Sequence, residues 1–149
     1  MQPNSPNEIL DTWLSLTNVQ SKINNEIEAV LQEKHSLSLK EFYVLYVLSQ
    51  TEQKKMRLQQ LQELVGLSQS ALSRLVVRME AKSCGALQKH ICQDDRRGIY
   101  TSMTNYGEEK LQGALNTFNE LLQTALMEEK LKEELQSLNL KLDSIQQKK

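Results

Sequence analysis

Between Leu58 and Lys82 two short apolar stripes at helical spacing stand only three residues apart, and no other feature restricts the fold as much. Leu58, Leu61, Leu64 and Val65 recur at i, i+3, i+6 and i+7, which predicts a short helix over 58–65. Gly66 ends it, because a glycine enters the left-handed conformation without a Cβ penalty. Ser68 then caps a second helix, Gln69 to about Lys82, whose Leu72, Leu75, Val76 and Met79 form an i, i+3, i+4, i+7 face. After it the period changes. Residues 86–92 and 98–103 together contain β-branched and aromatic residues and flank the polar Gln93-Asp94-Asp95-Arg96-Arg97, which predicts a β-hairpin with a charged tip.

Helical patterns surround this centre. Ser5-Pro6-Asn7-Glu8 opens a helix, with a capping serine, a proline at the first position and a glutamate three residues past the cap. Ile9, Trp13, Leu16, Gln20, Ile23, Ile27 and Val30 follow at 4-3 spacing, a stripe suited to packing on other helices or a partner subunit. Ser38-Leu39-Lys40-Glu41 repeats the capping box and starts a helix to about Ser49, with Phe42, Leu45, Tyr46 and Leu48 available for burial. Gln50 to Lys55 reads as a loop. From Thr104, Leu111, Leu115, Phe118, Leu122 and Ala125, then Leu131, Leu135, Leu138, Leu142 and Ile145, predict two helices with a break near Met127 to Lys130, or one long bent helix.

The expected fold is therefore mostly α with a small β-hairpin wing: a winged helix-turn-helix between long N- and C-terminal helices. The expected organisation is long helices in 1–37 and 105–149 around a lobe at 38–104, all in a single compact domain. Five Gly and two Pro among 149 residues agree with a helical chain.

Several classes fall away. The longest apolar run, Phe42 to Leu48, is far short of the ~20 residues a spanning helix needs, so no membrane association is expected. Met1-Gln2-Pro3-Asn4 lacks the basic-then-apolar pattern of a secretory signal. Cys84 and Cys92 do not make a disulfide framework, which points to a reducing cytoplasm. An intervening strand would hold them roughly 20 Å apart, too far for one bridge. Without a Gly-rich phosphate loop, a nucleophile elbow or a Ser/His/Asp grouping, enzymatic activity is not expected, nor is a cofactor. Neither Glu33 with His35 nor His90 with Cys92 has the paired short spacing of a metal site.

Charge is unevenly placed. Residues 54–97 hold nine Lys or Arg and four Asp or Glu, a net +5, while the remainder carries −6. A basic middle between acidic ends suits a nucleic-acid face on a repelling body, although a solvated surface with uneven lysines has the same composition. The motif decides between them. With its apolar face buried, helix 69–82 turns Gln69, Ser70, Ser73, Arg74, Val77 and Arg78 outward. Ser68 and the short polar side chains at its N-terminal end can approach base edges in a major groove, and Arg74 and Arg78 reach phosphates or a guanine. The hairpin adds Lys89 and brings Arg96 and Arg97 to a neighbouring groove.

These residues carry a resemblance. Leu61-Gln-Glu-Leu-Val-Gly-Leu-Ser-Gln-Ser-Ala-Leu-Ser-Arg-Leu-Val-Val-Arg-Met-Glu80 resembles the helix-turn-helix of the MarR family of bacterial multidrug-resistance regulators. Asp95-Arg96-Arg97-Gly98, with Met103-Thr104 and Gly107, is similar to that family's wing signature, an Asp-x-Arg tip followed by Leu-Thr-x-x-Gly. The resemblance implies a homodimer, with 1–37 and 105–149 as its dimerisation helices, that binds a palindromic operator in double-stranded DNA through two recognition helices and two wings. It implies that Asp95 orients Arg97 by an ion pair, and that Arg97 reaches the minor groove. Most members repress, and many are released by a small phenolic ligand or by oxidation. Glu80-Ala-Lys-Ser-Cys-Gly-Ala-Leu87 departs from the family pattern by two extra residues, and Met103 stands for the usual leucine.

A regulating ligand and an oxidant each have a candidate site. Trp13, Tyr43 and Tyr46 are the aromatic residues for a pocket taking a small aromatic ligand, though rings at helical spacing also serve as plain core. Cys84, close to Lys82, is the thiol suited to oxidation sensing. The expected function is a homodimeric transcription regulator, a MarR-type repressor relieved by an aromatic ligand or oxidant. The alternative is a winged-helix protein acting through protein contacts without DNA. Activation in place of repression depends on where the operator lies.

Overall fold

The computed structural model describes residues 7–81, 85–91 and 98–147. The elements run α1 (Glu8–His35), α2 (Leu39–Ser49), β1 (Lys55–Arg57), α3 (Leu58–Val65), α4 (Gln69–Ala81), β2 (Leu87–Ile91), β3 (Ile99–Met103), α5 (Asn105–Met127) and α6 (Glu129–Gln147). The three strands form an antiparallel sheet in the order β1-β3-β2. This is the expected winged arrangement, mostly α with a small sheet. The C-terminal pattern resolves into two helices with the break at Glu128. Ser5 and Pro6, the expected start of the first helix, lie outside the described residues.

Two compact units make up the chain, Val30–Thr117 and Met1–Ala29 with Phe118–Lys149. In the first, Leu31, Leu37, Leu45, Leu48, Leu61 and Leu72 form the centre of the core. The capping box forms as expected: Glu41 N donates to Ser38 Oγ at 3.1 Å and Ser38 N donates to Glu41 Oε1 at 2.8 Å. At the end of α1, His35 Nε2 lies 2.8 Å from Thr117 Oγ1, a hydrogen bond that occupies this ring nitrogen. In the second unit Ile27 and Leu131 are buried, while Ile9, Leu10, Trp13 and Leu14 are exposed within the single chain.

The structure corrects the sequence expectations at two places. Lys55, assigned to the loop, begins β1, with Lys55 opposite Ser102, Met56 opposite Thr101 and Arg57 opposite Tyr100. A strand of three residues is too short to show a period, and its partner lies far along the chain. On α2, Tyr46 is exposed and Val44 takes a place in the core. That helix packs against α3, β1 and β3 together, so its buried face is broader than one stripe.

The wing is anchored at the start of β2. Ala86 N donates to Met79 O at 3.0 Å, and Thr104 N donates to Ala86 O at 3.0 Å, so the end of α4, the sheet and the start of α5 meet at one residue. Thr104 Oγ1 donates to Gly85 O at 2.6 Å and accepts from Gly107 N at 3.1 Å, capping α5. Gly107 is needed for the approach: a Cβ there would press into the Ala86 carbonyl oxygen and sit 2.8 Å from Met103 Cγ. At the centre of β3, Thr101 is fully buried, and its hydroxyl has no hydrogen-bond partner among the described residues.

These two positions respond in opposite directions in thermal unfolding. Gly107→Ala is expected to destabilise the chain by about 1–3 kcal/mol, the range for overpacking against a fixed neighbour. Thr101→Val keeps the shape and removes an unpaired buried hydroxyl, and is expected to stabilise by about 1 kcal/mol. A Gly107→Ala melt equal to wild type, or a less stable Thr101→Val, would contradict this account.

Candidate nucleic-acid interface

The orientation of α4 follows from its burial. Leu72, Leu75, Val76 and Met79 are all buried, as their spacing predicts. Gln69, Ser70, Ser73, Arg74, Val77 and Arg78 are all exposed. The turn that delivers the helix is tightly made. Gly66 sits at φ 74°, and its N–H donates to Gln62 O at 3.0 Å. Lys40 Nζ donates to Val65 O at 2.9 Å, placing a cation at the C-terminal end of α3, where the helix dipole favours it. Ser68 Oγ accepts from Ala71 N at 3.2 Å, so this serine, predicted also as a DNA contact, caps α4. Ser68 Oγ also lies 3.4 Å from Ser70 Oγ, a contact in which either hydroxyl can donate.

A hollow of about 670 Å³ opens beside α4, lined by Gln69 and Ser73, by Arg57 and Gln62, and by Gly98 and Ile99 at the start of β3. Lys89 lies opposite Thr101 on the edge strand β2 and is exposed. Asp95, Arg96 and Arg97 lie outside the described residues, as do Cys84, Cys92 and Lys82.

Sequence reasoning missed one group. Arg57 Nε donates to Tyr100 Oη at 2.9 Å, and the guanidinium carbon is 5.4 Å from the ring centroid. Lys55 Nζ is 5.6 Å from the same centroid. On β2, His90 Nε2 is 2.8 Å from Ser102 Oγ. The register puts Lys55, Arg57, Tyr100, Ser102, Gln88 and His90 on one face of the sheet. Alternating basic residues around Met56 were the available signal, but only with β1 recognised as a strand.

The aromatic candidates sit in different settings. Trp13 is 62% exposed on α1, and Tyr46 is 42% exposed on α2. Tyr43 is half-buried, tilted at 55° against Phe42 with 6.0 Å between centroids, and Lys40 Nζ lies 5.9 Å from its ring. Burial pushes the Tyr43 hydroxyl above its usual 10.0 by disfavouring the phenolate. Among the described residues no group of three His, Cys, Asp or Glu is placed to hold a metal ion.

Residues 26–114 match the family model of SarA/Rot transcriptional regulators. Among solved structures, the chain is similar to Sco3205, a MarR family transcriptional regulator from Streptomyces coelicolor in complex with DNA. The TM-score is 0.77 at 20% identity, over 97% of this chain and 89% of that one. The transcriptional regulator BldR from Sulfolobus solfataricus gives a TM-score of 0.74 at 24% identity, over 97% and 99% of the two chains. A cysteine-to-serine mutant of E. coli MarR complexed with operator DNA gives 0.72 at 19% identity, over 95% and 98%. The fold is thus that of MarR family regulators, in agreement with the sequence resemblance. No curated protein matches the sequence.

In an alkaline titration followed by tyrosinate absorbance, Tyr43→Phe is expected to remove a late step, one lying above the ordinary tyrosine value of 10.0. Because its folded pKa lies above the unfolded 10.0, the stability it contributes is complete below that pH. It is lost as pH rises through the folded value. Removal of an early step by Tyr43→Phe would show that burial does not shift this group.

Proposed function

Because the chain belongs to the family of SarA/Rot transcriptional regulators, we propose that it is a cytoplasmic, homodimeric repressor that binds a palindromic operator. The observation that carries this is the outward face of α4. Four buried apolar residues hold the helix so that Gln69, Ser70, Ser73, Arg74 and Arg78 face solvent together. Short polar groups near the helix start suit base edges, and the two arginines one turn further on suit phosphates or guanine. The net +5 of residues 54–97 supplies the long-range attraction. Asp95 and Arg97 extend the contact at the wing, with Asp95 orienting the guanidinium.

The dimer has its own support. Ile9, Leu10, Trp13 and Leu14 on α1, and Leu140, Leu142 and Ile145 on α6, are large apolar side chains left exposed by the single chain. A second copy covers them, and a two-fold pair of recognition helices calls for two half-sites related by symmetry. Among the described residues no helix is long and apolar enough to cross a membrane.

Mobility shift with the DNA upstream of the chain's own coding region, at several salt concentrations, tests the proposal. Arg74→Ala is expected to weaken binding roughly tenfold and to flatten the log–log salt slope by about one unit. Sedimentation is expected to give a dimer, and Trp13→Asp to shift it toward monomer. Absence of binding at low salt would overturn the proposal in favour of a module acting through protein contacts. The same fragment titrated with salicylate-like acids and with oxidants tests release. A ligand that binds while leaving DNA affinity unchanged has no regulatory coupling.

A further inference from the structure

We propose that Arg57, held by Tyr100, is a third contact with the DNA backbone, set between the recognition helix and the wing. The inference rests on the DNA-binding function proposed above and adds a site to it. Arg57 occupies the N-cap position of α3 and makes no side-chain cap hydrogen bond there. It is exposed and turned toward its cross-strand partner. The bond from Nε to Tyr100 Oη and the position over the ring fix the plane of the guanidinium. An arginine fixed in this way loses little further rotamer freedom when it meets a phosphate.

The surroundings are arranged for an anion. Lys55 approaches the same ring, so two cations flank one tyrosine. The described strand residues sharing that face, Ser102, Gln88 and His90, include no acid. Arg57 also lines the hollow whose walls include Gln69 and Ser73 of α4 and Gly98 and Ile99 at the start of β3. A duplex read by α4 in one groove and by the wing in the next presents the intervening phosphates to this hollow. Glu63 lines it too, and its charge opposes an anion there. An ordinary strand pair that only stiffens the sheet would have the same hydrogen bond, so the test must separate positioning from stability.

A double-mutant cycle on the full chain makes that separation, with fluorescence anisotropy of a labelled duplex from the upstream region and a thermal melt of every variant. Arg57→Ala is expected to weaken binding roughly tenfold, as for one lost charge-assisted hydrogen bond, with the salt slope less steep by about 0.9. Arg57→Gln serves in its place if the alanine variant melts early. Tyr100→Phe keeps the ring and the charge, so about a threefold loss with an unchanged slope is expected, below the full cost of a charged bond. In the Arg57→Ala background Tyr100→Phe is expected to add nothing, because it acts through Arg57. Glu63→Gln is expected to tighten binding. Arg74→Ala is the control. If Arg74→Ala weakens binding while Arg57→Ala and Arg57→Gln do not, the inference fails and the DNA-binding function stands. Additive losses for Arg57 and Tyr100 would overturn the positioning role. A wild-type chain that binds no fragment would remove both.

Discussion

The meeting of three elements at Ala86 is the constraint on which the unit Val30–Thr117 depends. Its N–H takes the carbonyl of Met79 at the end of α4, and its own carbonyl takes the N–H of Thr104, one residue before α5. Backbone groups at such a crossing have no water to fall back on, so they must find each other. Gly107 makes the crossing possible by having no side chain to place there. The Thr-x-x-Gly pattern that resembles a family signature thus has a mechanical meaning. Threonine caps the helix and reaches back to Gly85, and glycine lets the helix lie against the strand.

Around that junction the unit separates its two kinds of chemistry. Leucines, Val76 and Met79 fill the interior, and Thr101 is its fully buried polar side chain among the described residues. Charge and hydrogen-bonding capacity stand outside, on α4, on the outer face of the sheet and along the edge strand. An apolar interior fixes orientation without competing for the polar groups a nucleic acid needs. Electrostatic attraction is weakly directional, so the rigid interior supplies the geometry and the exterior supplies the pull.

Much of this was legible in the sequence because it is local. Ser38 with Glu41, Gly66, Ser68 and the stripe on α4 each act within a few residues of themselves, and each stands where its spacing placed it. What escaped depends on distant pairing. Lys55, Met56 and Arg57 become a strand only against Ser102, Thr101 and Tyr100, and the Arg57–Tyr100 bond exists only in that register. The exchange of Tyr46 for Val44 in the core has the same origin, since three elements surround α2 and no single period describes that burial. The acid and arginines of the expected wing tip lie outside the described residues, so their geometry adds nothing to the comparison.

The buried stripe of α4 has one more consequence, and it concerns descent with modification. Leu72, Leu75, Val76 and Met79 answer for stability, whereas Gln69, Ser70, Ser73 and Val77 touch nothing the core requires. Surface exchanges of that kind usually change stability by within about 0.5 kcal/mol. A lineage carrying this helix can therefore exchange its outward side chains without passing through unfolded ancestors. The scaffold stays while the face it presents is free to change.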